Sequence, residues 1–404
     1  MSFSLGHIGD IHLGSYQGKT EAGGINGRYL DFVKTFNQSI DIMVDRGVDF
    51  CLMPGDIFRV KTPSPDELNE FAKGVLKLRR ANIPVVITLG NHDLFLSDKR
   101  THAFGTIETL LEDDDKFIIS RKPEIIKIQT KNSGIVQVQS MPFPVRSLLR
   151  LETSKQVEQY VIDKVSEIYE TRDKTLPIVF AGHFSLRDSV VGDEQRYVDK
   201  FAEPLISGEI FKGREYLYCA IAHIHTYQVV YTKPLTVYCG SNNRVDFNEA
   251  KEDKGFVIAN IDGKSVTHEF IKVDARKFMS LKYDLEKDDD PQATIMEDLK
   301  SKKEQLKDSI VRLEITLSED NQRKWNWKEA STFLDSIVYW IHGIQCNVKK
   351  PNLVRNNAGF TESMDAFQAL RHYAKVNKIK NQELFLKFGD KIIRESKGGS
   401  KDEV

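Results

Sequence analysis

Five short blocks of metal-ligand residues recur along the chain, each directly after a hydrophobic, strand-like run. They are Asp10-Ile11-His12, Gly55-Asp56, Gly90-Asn91-His92-Asp93, Gly182-His183 and His223-Ile224-His225. Polar residues just beyond the carboxyl ends of strands in a common sheet point into one crevice. A lone Asp or His at a strand end is more often a capped turn residue than a ligand. Five such blocks in series demand a fold that gathers strand ends around a shared polar site.

The residue types narrow the chemistry. Asp10 and His12 are two apart, so an extended backbone puts both on one side, around one cation. Asp56 has two oxygens with which to bridge two cations. Asn91 offers a neutral oxygen and His183 a nitrogen. His223 and His225 repeat the two-residue spacing, so neighbouring cations can each take one. Mixed Asp, Asn and His ligands suit Mn, Fe or Zn, and the lack of thiolate blocks argues against structural zinc. Two ions about 3.5–4 Å apart stabilise both the attacking and the leaving oxygen of a displacement at phosphorus. His92 stands beside a ligand and suits protonating the leaving oxygen or binding the phosphate, with Asp93 orienting its ring. His7 is expected to bond a ligand from behind. His102, His268, His342 and His372 are expected to be ordinary.

The first half alternates strand and helix patterns. Strands are expected at Phe3 to Ile8, Asp49 to Met53 and Val85 to Leu89, with helices at Arg28 to Asp45 and Asp66 to Ala81 between them. Short alternating strands from Phe117 to Met141 precede a helix at Ser154 to Tyr169. Strands at Ile178 to Ala181, Tyr216 to Ala222, Gln228 to Tyr231 and Leu235 to Tyr238 come next. A hairpin around Asp262-Gly263 closes this part. The order predicts an α/β, four-layer αββα sandwich over residues 1–275. A small α+β domain over residues 276–350 is expected next, with helices at Ala293 to Leu306 and Trp327 to Ile341 and strands at Ser280 to Leu285, Ile310 to Leu317 and Gln345 to Val348. Asn352 to Gly359 reads as a linker. Residues 360–396 read as two amphipathic helices, with Ser396 to Val404 disordered.

The formal net charge of -1 gives no general pull toward nucleic acid. A DNA partner therefore requires local basic clusters. From Arg371 onward, Lys and Arg outnumber Asp and Glu nine to five. The four cysteines have neither zinc-finger nor redox spacing. Cys51 and Cys219 lie in apolar runs and are expected to be buried thiols. No run approaches the roughly 20 apolar residues of a membrane span. With no signal-peptide pattern at the start, the expected setting is cytoplasmic and reducing, in a bacterial or phage-infected cell.

The blocks resemble those of the calcineurin-like metallophosphoesterase superfamily. Three stretches narrow the resemblance to the SbcD family, the nuclease subunit of double-strand-break repair complexes. Ile8-Gly9-Asp10-Ile11-His12-Leu13-Gly14 is similar to that family's opening strand. Gly55-Asp56-Ile57-Phe58 with Pro63-Ser64 is similar to its second block. Gly240-Ser241-Asn242-Asn243-Arg244-Val245-Asp246-Phe247-Asn248-Glu249 resembles the segment after its last ligand pair. The resemblance implies Mn-dependent exonuclease and endonuclease activity on DNA ends and single strands, in a dimer bound to an SbcC-type ATPase. It implies Asp10, His12, Asp56 and His225 around one manganese ion, and Asp56, Asn91, His183 and His223 around a second, with His92 catalytic. It makes residues 276–350 a cap that holds DNA and the C-terminal helices the ATPase-binding element. Arg59 departs from members that carry His there; an arginine cannot act as a base and suits a phosphate. Ala222 replaces the usual Gly before the His-Xaa-His pair, a change expected to be tolerated. The competing readings are a phosphodiesterase or phosphatase for small molecules or phosphoproteins with the same metals, and a non-catalytic scaffold. The intact ligand set argues against the scaffold.

Overall fold

The computed structural model of the protein describes residues 1–94, 103–111, 114–131, 133–190, 203–349 and 364–398. They fall into two compact units, Met1–Asn347 and Val348–Val404. His102 and the Asn352 to Gly359 linker lie outside the described residues.

In the first unit, strand β1 (Ser2–His7), helix α1 (Gly27–Arg46), β2 (Phe50–Met53), α2 (Pro65–Arg80), β3 (Val85–Thr88), α3 (Gly105–Leu110) and β4 (Phe117–Ser120) follow in order. Local chemistry sets the helix ends. Asn26 caps α1 by accepting from Tyr29 N–H, and Gly47 ends it at φ 64°. Ser64 and Glu67 form a capping box on α2, with Pro65 at its first position.

Strands β1 to β4 pair in parallel, and β13 (Gly255–Asp262) and β14 (Ser265–Lys272) extend that sheet as an antiparallel hairpin. The second sheet contains β5 (Glu124–Gln129), β6 (Ile135–Met141), β7 (Ile178–His183), β10 (Tyr218–Ala222), β11 (Gln228–Thr232) and β12 (Leu235–Tyr238). Its order is β11-β12-β10-β7-β6-β5. Helix α4 (Ser154–Glu170) lies between β6 and β7 in sequence, and β8 (Ser185–Leu186) and β9 (Leu205–Ile206) form a separate short pair.

Three apolar layers account for the expected sandwich. Phe32, Phe36 and Met43 of α1 and Phe71, Val75 and Leu78 of α2 bury one face of the first sheet. Leu5, Leu52 and Val86 meet Val138, Val179 and Ala220 between the sheets. Val161, Val165 and Tyr169 of α4 cover the outer face of the second. His7 belongs to the middle layer. Its Nδ1 lies 2.9 Å from the Tyr218 hydroxyl, joining β1 to β10. It therefore bonds across the sheet interface and not behind a metal ligand as expected.

Strands β15 (Phe278–Leu285), β16 (Ile310–Ser318) and β17 (Trp340–Lys349) form a third sheet with its own core of Leu281, Ile295, Leu299, Leu313, Ile315 and Leu334. It is anchored to α1 through Asp31, which pairs with Arg28 at 2.6 Å and with Arg276 at 2.7 Å. Two expected elements differ here. The helix begun at Trp327 stops at Asp335, and Trp340 opens β17. The run Ile337-Val338-Tyr339-Trp340-Ile341 is β-branched and aromatic, which favours a strand over a helix. Ile337 and Val338 turn onto the core of the third sheet, and Trp340-Ile341 open the strand. The helix expected over Ala293 to Leu306 is divided at Lys302 into Pro291–Ser301 and Lys303–Leu306.

In the second unit, helices Ala366–Val376 and Gln382–Gly398 lie side by side, the latter running into the tail expected to be disordered. Leu384, Phe388 and Ile392 on the second helix are exposed.

Candidate metal centre

All five blocks meet at one end of the sandwich; His183 ends strand β7, but several of the other ligands leave the extended backbone. Asp10, His12, Asp56 and His223 have φ of 45°, 48°, 52° and 107°. The reading of Asp10/His12 and His223/His225 as strand-like pairs is thus corrected. At Asp10, His12, Asp56 and His223 the backbone takes a left-handed kink, which costs a non-glycine residue of order 1 kcal/mol or more and is common at functional sites. Gly90 makes the convergence possible: a Cβ there would stand 2.2 Å from Asp56 Oδ1.

The expected residues gather into three overlapping groups whose ligand atoms lie within 4.8 Å of one another: Asp10, His12 and His225; His12, Asp56 and His92; and Asp56, His183 and His223. His12 Nε2 and His225 Nε2 are 3.0 Å apart. Asp56 Oδ2 lies 3.8 Å from His12 Nε2 and 3.3 Å from His183 Nε2. His183 Nε2 is 3.0 Å from Asn91 Oδ1 and 3.1 Å from His223 Nδ1. Asp56 therefore stands between two sets.

Acceptors behind the rings decide which nitrogens face inward. His183 Nδ1 lies 2.7 Å from the Pro54 carbonyl, which can only accept, so the proton is on Nδ1 and Nε2 turns to the cluster. Glu249 lies 2.8 Å from His225 Nδ1, and Glu203 pairs with His223 Nε2, each leaving the other nitrogen inward. Ring nitrogens aimed at one another around buried carboxylates are, once deprotonated, the donor set a divalent cation takes. Asp10 supports this fit. Its Oδ2 accepts from His223 N–H at 2.8 Å, while the buried Oδ1 has no hydrogen-bond partner among the described residues.

The electrostatics fit as well. Burial pushes the Asp10 carboxyl up, and the Asp56 charge adds to it against His183 and His225. Burial opposes charge on His183 too, but Asp56 and Asp10 outweigh it and raise the imidazole to about 9. Burial and then the His225 ring hold His12 well below its ordinary value. The pocket thus has one ligand carboxyl, Asp10, that resists ionising and a histidine that resists losing its proton, while Asp56, despite its burial, is held ionised by the imidazoles around it. A dication suits such a pocket.

The group that orients His92 is not the one expected. Asp93 is fully buried and receives the backbone N–H groups of Asp56 at 2.8 Å, Gly90 at 3.0 Å and Ile57 at 3.2 Å. It shapes the ligand loop and does not orient the His92 ring. That ring is held by the Arg59 carbonyl, 2.7 Å from Nδ1, and His92 N–H donates to Asp56 Oδ1 at 2.8 Å.

Three charged residues at the site had no role assigned from sequence. Glu249 receives Val245 N–H at 3.1 Å and pairs with the buried Lys254 at 2.7 Å. Burial raises its carboxyl, but His225 and Lys254 override that and hold it well below the usual range. Its place at the end of the Gly240 to Glu249 segment was the available signal. Asn242 and Asn243 of that segment bond Ser39 Oγ at 2.8 Å and the Asp31 carbonyl at 3.0 Å, tying it to α1. Glu203 follows no motif. The departure at Ala222 is accommodated by Gly9, where a Cβ would lie 2.5 Å from the Ala222 methyl. Cys51, Cys219 and Cys239 are buried free thiols.

The centre forms the floor of a cleft of about 900 Å³, whose walls include Tyr16, Arg59, His92 and Asn248. No helix among the described residues is long and apolar enough to cross a membrane.

The family model described as calcineurin-like phosphoesterase matches residues 3–227. Among curated proteins, the DNA double-strand break repair protein Mre11 of Methanococcus maripaludis is 23% identical over 278 residues, covering 66% of each chain. The Mre11 of Thermoplasma acidophilum is 36% identical over 87 residues, 22% of each. The SbcD component of the SbcCD nuclease of Staphylococcus saprophyticus is 24% identical over 278 residues, 66% of this chain and 67% of that one. The chain thus spans about two thirds, or less, of the length of these relatives. A dimetal phosphatase from Danio rerio superposes on 65% of this chain and 93% of its own, at 11% identity and a TM-score of 0.35.

Proposed function

The chain belongs to the calcineurin-like phosphoesterase family, and from that premise we propose that it is a DNA nuclease hydrolysing phosphodiester bonds with two manganese ions. The observation that carries this reading is the convergence of all five blocks on Asp56, with a separate donor set on either side of it. The names of the relatives, double-strand break repair proteins and a nuclease component, supply the substrate.

In this reading Asp10, His12 and His225 hold one cation and Asn91, His183 and His223 the other, with Asp56 shared. The cations would polarise a phosphoryl oxygen and acidify water. The residues do the rest. Glu249, Glu203 and the Pro54 carbonyl fix the tautomers of three imidazoles, so that ligand nitrogens need no rearrangement. Because the Arg59 carbonyl claims the Nδ1 proton of His92, Nε2 is the atom that delivers a proton to the leaving oxygen. Asp56 Oδ1, bonded to His92 N–H, sets the distance between that ring and the metals.

Residues 276–350 would act as a DNA-holding cap. The exposed apolar residues of the Gln382–Gly398 helix would dock an ATPase partner, in a homodimeric assembly. The test is manganese-dependent digestion of linear duplex DNA by the purified chain, with and without such an ATPase. Cleavage is expected. An inert chain that still hydrolyses a small phosphodiester would instead establish the small-molecule reading.

A further inference from the structure

Beside the metal cleft lies a second cavity of about 310 Å³. Tyr16, Arg59 and Asn248 line both, so the two join. At the junction stands a stack of flat groups. The Tyr16 ring lies on buried Phe32 with centroids 4.5 Å apart and planes within 9°. The Arg59 guanidinium covers its other face, 4.3 Å from the centroid. Arg59 is the exposed top layer, and its Nη1 donates to the Ser15 carbonyl, which fixes the plane. Deeper in the second cavity, Trp340 and His342 meet edge to face at 5.3 Å, and Arg312 lies over Phe247 at 4.7 Å.

Charge alone does not explain this slot. Asp31 is shared between Arg28 and Arg276, and the Asp246 carboxylate lines the slot along with Arg59 and Arg312. What distinguishes the slot is planar surface, aromatic and guanidinium together, which suits unpaired bases. Arg59 also holds His92 through its backbone carbonyl, so a group resting on its side chain lies beside the reacting phosphate.

We propose that Arg59 is a stacking platform for the nucleobase next to the scissile phosphate, and that the slot lined by Trp340 and His342 receives the following base. The substrate strand is then unpaired where it is cut. This rests on the nuclease reading above and adds to it which strand geometry the site accepts.

The test is binding of fluorescent single-stranded oligonucleotides to the full chain in EDTA, with one abasic nucleotide moved along the strand. In the wild-type chain, an abasic nucleotide at the platform position weakens binding about tenfold, as loss of one base stack does. Arg59→Lys keeps the charge and loses the plane. It binds the intact oligonucleotide about tenfold more weakly, and the abasic nucleotide then costs it little more. Trp340→Ala does the same one position further on, and it leaves the Arg59–His92 contact in place. If Arg59→Lys weakens intact and abasic strands equally, the residue holds phosphate and the proposal is overturned. The same follows if no abasic position matters although the chain cuts DNA. A chain that neither binds nor cuts DNA overturns the nuclease reading, and the platform with it.

Discussion

Glu249 lies 2.8 Å from Nδ1 of His225, and the ammonium of fully buried Lys254 sits 2.7 Å from its other oxygen. The pair forms a charge-balanced clamp behind one end of the proposed metal set. Removing the carboxylate charge weakens the hold on the ring and leaves the buried ammonium with Glu252 as its charged partner. Carboxylates of this kind change metal affinity by about 10- to 100-fold. Glu249→Gln is expected to weaken manganese binding by that factor at one of two sites. Isothermal titration should resolve a strong and a weakened site, whereas two unchanged sites would remove Glu249 from the metal assembly.

His92 occupies the cleft wall and shares the His12–Asp56 group, so it is open to two roles, ligand or proton donor. Its Nε2 is 4.0 Å from Asp56 Oδ2, and its Nδ1 is taken by the Arg59 carbonyl. The donor role predicts that His92→Ala keeps both metals and loses about 10²- to 10⁴-fold in turnover, the range for a removed general acid. Metal content after gel filtration, measured alongside cleavage rate, separates the two. Loss of one metal equivalent would make His92 a ligand.

Much of this was legible in the sequence because the signal was redundant. Each apolar strand ended in a polar block, and five repetitions left little freedom in fold or site. What was not legible had physical causes. The kinks at Asp10, His12 and His223 carry no glycine, so nothing local marks them. Asp93 follows His92 in sequence, but three backbone N–H groups claim its carboxylate, and only tertiary structure brings them there. Lys254 reads as a surface residue until Glu249 and Glu252 surround it. Trp340 sits in a run that either helix or strand can use, and the third sheet decides.

His7 sets a pH dependence of stability. Burial lowers its imidazole from about 6.5 to about 3, against a smaller opposing backbone bond from Ile221. Above pH 6.5 the ring is neutral in both folded and unfolded chains and contributes nothing. As pH falls from 6.5 toward 3, the unfolded chain takes up the proton and the folded chain does not. Stability is therefore lost, by up to about 1.4 kcal/mol per pH unit. His7→Gln can still bond the Tyr218 hydroxyl but cannot titrate. Urea denaturation of metal-free protein at pH 7 and pH 5 should show a smaller loss in the variant. Equal losses would place His7 in contact with water.

His183 makes metal binding itself pH-dependent. Its Nδ1 proton belongs to the Pro54 carbonyl, and a second proton on Nε2 faces Asp56 Oδ2 at 3.3 Å. Burial works against that second proton, but Asp56 and Asp10 hold it until about pH 9. A cation taking Nε2 must displace it, because only neutral imidazole ligates. Apparent manganese affinity should then rise about tenfold per pH unit from 7 to about 9, with about one proton released from this residue at pH 7. Titration calorimetry in two buffers of different ionisation heat measures the release directly. His183→Asn keeps an oxygen donor and should bind more weakly without the steep slope. Uptake at pH 7 with no proton released would show that Asp56 does not hold His183 in its charged form and that the two are not joined as a ligand pair.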